Sequence, residues 1–198
     1  MELLPQDFGL WRASVETQER VLTPGGDLQV HQKQVLDPDG SESLRTTLQR
    51  VPKDQHERVL QMALSRQFGN AVLERFSFKN LAEATKPLDW GYHLQVTGYA
   101  TGEGSRLIVS EPLPPLGISK ELASLSVRTL PLATGGTLSL HNIFRLKLPE
   151  GARTDFRPPS VELRSPFGEY TLTGSLKGGA LTFERTVWIP FQVILPAQ

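Results

Sequence analysis

The chain has 198 residues, 21 acidic and 21 basic, and no cysteine. A neutral balance leaves no electrostatic footprint for nucleic acid or an anionic membrane, because phosphate binding needs a clustered excess of Lys and Arg. Without cysteine there is no thiol nucleophile, disulfide or thiolate metal site, whichever redox compartment the chain occupies.

Fifteen prolines and seventeen glycines are spread along the chain, which suits many short strands and turns. No apolar run approaches the roughly 20 residues that cross a bilayer as a helix, so membrane insertion is not expected. The first residues, Met1 to Asp7, lack the basic and apolar regions of a secretory signal.

In chain order, residues 10–23 alternate: Trp11, Ala13, Val15 and Thr17 against Arg12, Ser14, Glu16 and Gln18. That period of two marks a half-buried strand. Pro24-Gly25-Gly26-Asp27 is a turn, and Leu28 to Leu36 reads as its hairpin partner. Asp37-Pro38-Asp39-Gly40 reads as a further turn and residues 41–51 as a third strand. Residues 52–68 form the expected helix. Pro52 suits a first turn, Asp54 its dipole, and His56, Val59, Leu60, Ala63, Leu64 and Phe68 make one apolar stripe. Gly69 is a natural C-terminal stop.

Residues 71–78 follow as a strand with Val72, Phe76 and Phe78 as inward candidates. Residues 89–100 alternate through Trp90, Tyr92, Leu94 and Val96, and residues 101–104 turn the chain into a short return at 106–110. The proline-rich stretch 111–117 marks a boundary, because proline removes ladder donors. Residues 122–132 are amphipathic at no clean period. Residues 137–192 then read as four strands, the last three a meander with its tightest bend at Lys177-Gly178-Gly179-Ala180. The expected fold is mainly β: antiparallel β-sandwich-like sheets with one amphipathic helix (52–68) on a sheet face. Residues 1–110 form a β-rich lobe with the helix and 111–198 a smaller antiparallel β lobe, or the two make one continuous unit.

Motifs for chemistry are sparse. His31, His56, His93 and His141 never stand at i, i+2 or i, i+4, so no local metal pair exists and neither metal nor cofactor is expected. There is no Gly-x-Ser-x-Gly elbow; Gly40-Ser41-Glu42-Ser43 reads as turn chemistry. Gly102-Glu103-Gly104-Ser105 has no following helix to cradle phosphate and reads as a hairpin bend. Asp37 and Asp39 supply too few oxygens for a calcium loop, and Glu169 with Glu184 are more often solvent-facing strand residues than an acid–base pair. Trp90 and Tyr92 share strand parity and so one face. If exposed, they would form a stacking platform for a sugar ring or a partner chain; if buried, they are core.

Several pieces together resemble a known arrangement. They are Pro24-Gly25-Gly26-Asp27-Leu28 leading into a strand, Gly40 with Arg45 before the helix, Arg128-Thr129-Leu130-Pro131-Leu132, and Phe144-Arg145-Leu146-Lys147-Leu148-Pro149-Glu150-Gly151. Gly168-Glu169-Tyr170 through Ala180-Leu181-Thr182-Phe183-Glu184-Arg185 completes the set. The order resembles the C-terminal β-rich domain of unknown function in bacterial multidomain proteins with a transglutaminase-like, papain-like core. The resemblance implies an accessory, non-catalytic module, since that core uses a Cys–His–Asp set and this chain has no Cys. It implies that Met1 begins an excised piece with the core upstream, and a periplasmic or secreted location. The expected partner is a neighbouring domain of the same parent or another polypeptide, with no nucleic acid and no membrane insertion. The alternative is a carbohydrate-binding module using Trp90 and Tyr92.

Overall fold

The computed structural model describes residues 11–109, 113, 116, 131–134 and 136–194. Most of the 111–117 boundary and of the 122–132 segment lies outside these residues.

The fold is mainly β. It is built around one long strand, β1 (Trp11–Leu22), which forms an antiparallel hairpin with β2 (Leu28–Leu36). Gly26, at φ +89°, closes the turn, where an added Cβ would lie 2.6 Å from the Ala100 carbonyl oxygen. The chain then forms helices α1 (Pro38–Gln49) and α2 (His56–Phe68), the second entered through a short 3₁₀ turn at Lys53–Gln55. Strands β3 (Ala71–Lys79) and β4 (Leu88–Val96) return, and β4 pairs with β2. The short β5 (Thr101–Glu103) and β6 (Arg106–Ile108) make a separate hairpin, and β7 (Leu132–Ala133) pairs with the C-terminal β12 (Val193–Ile194). Between them run β8 (Thr137–Lys147), β9 (Ser160–Ser165), β10 (Gly168–Lys177) and β11 (Ala180–Ile189). The bend from β10 to β11 has Gly178 and Gly179 at φ +56° and +72°, both left-handed as a two-residue hairpin requires.

Eight strands form one sheet in the order β3-β4-β2-β1-β8-β11-β10-β9. Its neighbours are antiparallel except at the centre, where β1 runs parallel to β8 from Trp11↔Thr137 to Val21↔Lys147. This ladder joins the N-terminal and C-terminal strand groups, and one hydrophobic cluster runs under both. Leu28, Leu73, Tyr92 and Leu94 belong to it with Phe144, Leu146, Leu181 and Phe183. Helix α2 closes one flank, as its apolar stripe predicts, with Leu60 and Leu64 buried and Phe68 packed alongside.

Two expectations are corrected. Residues 41–51 are not a third strand. Asp37 caps a helix by accepting from the Gly40 N–H at 2.7 Å, Pro38 occupies the first turn, and Ser41, Arg45 and Leu48 are buried at helical spacing. What reads as an Asp-Pro-Asp-Gly turn is a helix start. Second, Val72 points outward and is 59% exposed. A bulge between Leu73 and Arg75 shifts the phase of β3, so Ala71 and Leu73 face the core before it and Phe76 and Phe78 after it. The period of two in β1 leaves its inward face open, and the structure selects the polar one: Val15 is 51% exposed while Ser14, Gln18, Arg20 and Leu22 are buried.

Both sheet edges are blunted. At β9, Pro158-Pro159 and Pro166 bracket a six-residue strand whose Glu162 and Arg164 form an ion pair at 2.8 Å. At β3, the Gln61 carboxamide from α2 stands in for a neighbouring peptide unit. Its Nε2 donates to the Ala71 carbonyl at 2.6 Å and its Oε1 accepts from the Leu73 N–H at 2.7 Å. Gln61→Ala therefore leaves the Leu73 N–H unpaired and the Ala71 carbonyl with only the Ser65 hydroxyl at 3.5 Å. The expected outcome is a loss of about 1–2 kcal/mol in urea unfolding and concentration-dependent association in sedimentation velocity.

The β8–β9 crossover folds back over β10 at Gly174, the register partner of the buried Phe183. A Cβ on Gly174 would sit 2.4 Å from Pro158 Cβ and 3.1 Å from the Pro159 carbonyl oxygen, whose acceptor already receives the Gly174 N–H at 2.9 Å. Gly174→Ala should thus displace the crossover and cost about 1–3 kcal/mol, read by denaturant midpoint.

Candidate functional site

The register of the sheet lines up polar residues across its inner face. One row runs Phe76–Tyr92–Gln32–Gln18–Phe144–Phe183, and the next Phe78–Trp90–Gln34–Glu16–Asn142–Arg185. Aromatic rings thus flank a polar strip carried by the four central strands β2, β1, β8 and β11.

The strip is hydrogen-bonded end to end. Trp90 Nε1 donates to Gln34 Oε1 at 2.9 Å, and Gln34 Nε2 donates to Ser14 Oγ at 2.8 Å. Gln18 Nε2 donates to Gln32 Oε1 at 2.7 Å and to Glu16 Oε1 at 3.0 Å. Asn142 Nδ2 donates to the second carboxylate oxygen, Glu16 Oε2, at 2.9 Å. Two guanidiniums close the ends: Arg20 Nε donates to Gln18 Oε1 at 2.8 Å, and Arg185 donates through Nε and Nη2 to Asn142 Oδ1 at 3.2 Å. Both also lie 5.4 Å from the Phe144 ring centroid, and Arg20 lies 5.8 Å from that of Phe68. These are cation–π distances in a largely desolvated setting.

Burial dominates the electrostatics here. It raises the Glu16 carboxyl above its ordinary value, against the opposing pull of Arg185 and Arg20 and the donors of Gln18 and Asn142. It lowers both Arg20 and Arg185 and pushes the Tyr92 phenol up. A buried carboxyl with a raised pKa is a frequent acid–base signature. Here, however, both of its oxygens are held by amides that the arginines orient. Among the described residues no buried side-chain N or O atom lacks a partner.

Trp90 and Tyr92 do share a face, the inner one. Tyr92 is 2% exposed, and Trp90 packs against the core. Trp90 stacks on Phe78 at 5.9 Å and tilts 46° from Tyr92 at 5.5 Å. The pair is therefore part of the core, not the flat exposed platform that a sugar ring needs.

The histidines separate into three places. His56 is buried and its Nε2 lies 2.8 Å from the Leu48 carbonyl, tying α2 to α1. His141 pairs with Glu184 at 2.8 Å on the outer face. His31 and His93 stack at 3.9 Å, also on the outer face. Among the described residues, no group of three or more His, Asp or Glu is placed to hold a metal ion. Glu169 lies opposite Trp188, and Glu184 opposite Thr173, so the two carboxylates are not register partners. Asp37 is a helix cap, Ser41 lies inside α1, and Gly104-Ser105 is the β5–β6 bend.

Sequence reading missed the strip. Its signals were there: Glu16, Gln18 and Arg20 at one parity, matched by Gln32 and Gln34. Polar residues at one parity are assigned to solvent by default. Comparison with family models, curated proteins and solved structures yields no match.

Proposed function

We propose that this chain is a non-catalytic structural and interaction module that works by packing against a neighbouring domain of its parent protein or another polypeptide. The observation that supports this most is the closed hydrogen-bond circuit on the inner face. The residues with most potential for chemistry, Glu16, Arg20, Asn142 and Arg185, are tied into one network, Arg185 and Glu16 through Asn142 and Arg20 and Glu16 through Gln18. The resemblance to accessory domains of bacterial transglutaminase-like proteins supplies the proposed context, a periplasmic or secreted protein with a papain-like core upstream.

Two measurements test this. The coding region upstream should encode a Cys–His–Asp core, and that core should bind the present chain in calorimetry; an unrelated upstream region would remove the transglutaminase-like context. Turnover of an ester, peptide or glycoside by the chain alone, abolished by Glu16→Gln with the fold intact, would overturn the non-catalytic reading itself.

A further inference from the structure

The geometry points to a second site on the opposite, outer face: an acid-dependent binding site for a tetrahedral dianion, a phosphate or sulfate group, built by His31, His93, Arg75 and Lys33.

These four groups meet by register. Arg75, His93 and His31 follow one another across β3, β4 and β2, and in the adjacent row Lys33 faces Gly91 and Ser77. Gly91 has no room for a side chain, because a Cβ would lie 2.6 Å from the Gln32 carbonyl oxygen. The row is therefore notched at its middle, with main chain as the floor. A cleft of about 490 Å³ opens there, with the two imidazoles and Lys33 and Arg75 among its walls. The site is donor-rich. Arg75 Nη2 lies 3.1 Å from His93 Nδ1, and a guanidinium can only donate, so Nδ1 is the acceptor and the ring proton sits on Nε2.

Charge makes the site respond to acid. At neutral pH, Lys33 and Arg75 are offset by Asp89 and Glu74, and Lys79 lies in register with Asp89. Glu19, beside His31 on β1, is engaged by Arg145 of β8 at 2.8 Å. Burial, then the His31 ring and Arg75, hold the His93 imidazole below its ordinary value. Protons added to the stacked rings face each other and the Arg75 cation. A bound dianion relieves that repulsion, so proton and anion bind cooperatively, and each raises the affinity of the other equally. Two added positive charges match a dianion better than a carboxylate.

Histidine proton resonances titrated in sodium sulfate and in sodium chloride of equal ionic strength test this on the intact chain. Sulfate stays dianionic throughout the range, and His56 and His141 serve as internal references. The expected result is that His31 and His93 titrate at higher pH in sulfate only. Sulfate should bind about tenfold tighter near about pH 5.5 than near about pH 7.5, and about fivefold weaker in the surface variants Arg75→Gln and Lys33→Gln. Equal shifts in chloride, equal shifts in acetate, movement of His141 alongside, or full binding in both variants would each overturn the site.

Discussion

Replacing Arg45 by Met should lower stability by about 3–4 kcal/mol, one of the largest losses from any single side chain here. Arg45 is 4% exposed on α1 and bonds to four groups. Its Nε donates to Ser41 Oγ at 2.8 Å and its Nη2 to the Lys86 carbonyl at 2.7 Å. Its Nη1 donates to the carbonyls of Asn80 and Leu81. The guanidinium thus organises the whole β3–β4 connection, which begins with Asn80 at φ +64°. Met fills similar space but offers no donor, so three carbonyls lose the guanidinium at once; the Asn80 carbonyl keeps only the Glu83 N–H at 3.1 Å and the Leu81 carbonyl only the Gln49 carboxamide at 3.4 Å. Lys should recover only part of the loss, since an ammonium cannot span the fork. Urea unfolding gives the magnitude, and faster amide exchange in residues 80–87 gives the location. A loss under about 1 kcal/mol for Arg45→Met would show that solvent satisfies these carbonyls and that Arg45 does not organise the loop.

Glu16 is the second test. Removing its carboxylate by Glu16→Ala leaves one Gln18 N–H and the Asn142 amide without an acceptor and takes away the anion that Arg20 and Arg185 share, for an expected loss of about 3–5 kcal/mol. Glu16→Gln is more diagnostic. Arg20 holds Gln18 Oε1 and Arg185 holds Asn142 Oδ1, so both amide nitrogens point at Glu16. Gln would set its own N–H₂ against one of them, at about 1–3 kcal/mol for the donor left unpaired. A Gln variant as stable as the wild type at neutral pH would refute this polarity argument. The pH dependence has a definite sign. With a folded pKa raised above 4.5, Glu16 contributes most below that value and loses the contribution as pH rises through its folded pKa. Glu16→Gln should lack that slope in stability measured from about pH 4 upward.

Much of the architecture was legible from local chemistry. Gly178-Gly179 demands a tight bend, and the strands on either side of it follow. The stripe from His56 to Phe68 specifies a helix with one buried face, and Gly69 ends it. Where the reading failed, a local pattern had two solutions. Asp37-Pro38-Asp39-Gly40 satisfies both a turn and a helix cap, and only the burial of Arg45 and Leu48 against neighbouring elements selects the helix. In β3, the bulge at Leu73/Arg75 shifts the side-chain phase midway, which no two-residue period can encode.

By itself the sequence determined the mainly β class, the hairpin turns, the amphipathic helix and the shared parity of Trp90 with Tyr92. These depend on backbone freedom and side-chain spacing within a few residues. Only the tertiary structure decided which face of β1 turns inward, because that choice depends on partners distant in the chain. Gln18 and Arg20 can be buried, and Glu16 half-buried, only because Gln32, Asn142 and Arg185 arrive in register to satisfy them. Without those partners the same polar side chains would have to face water.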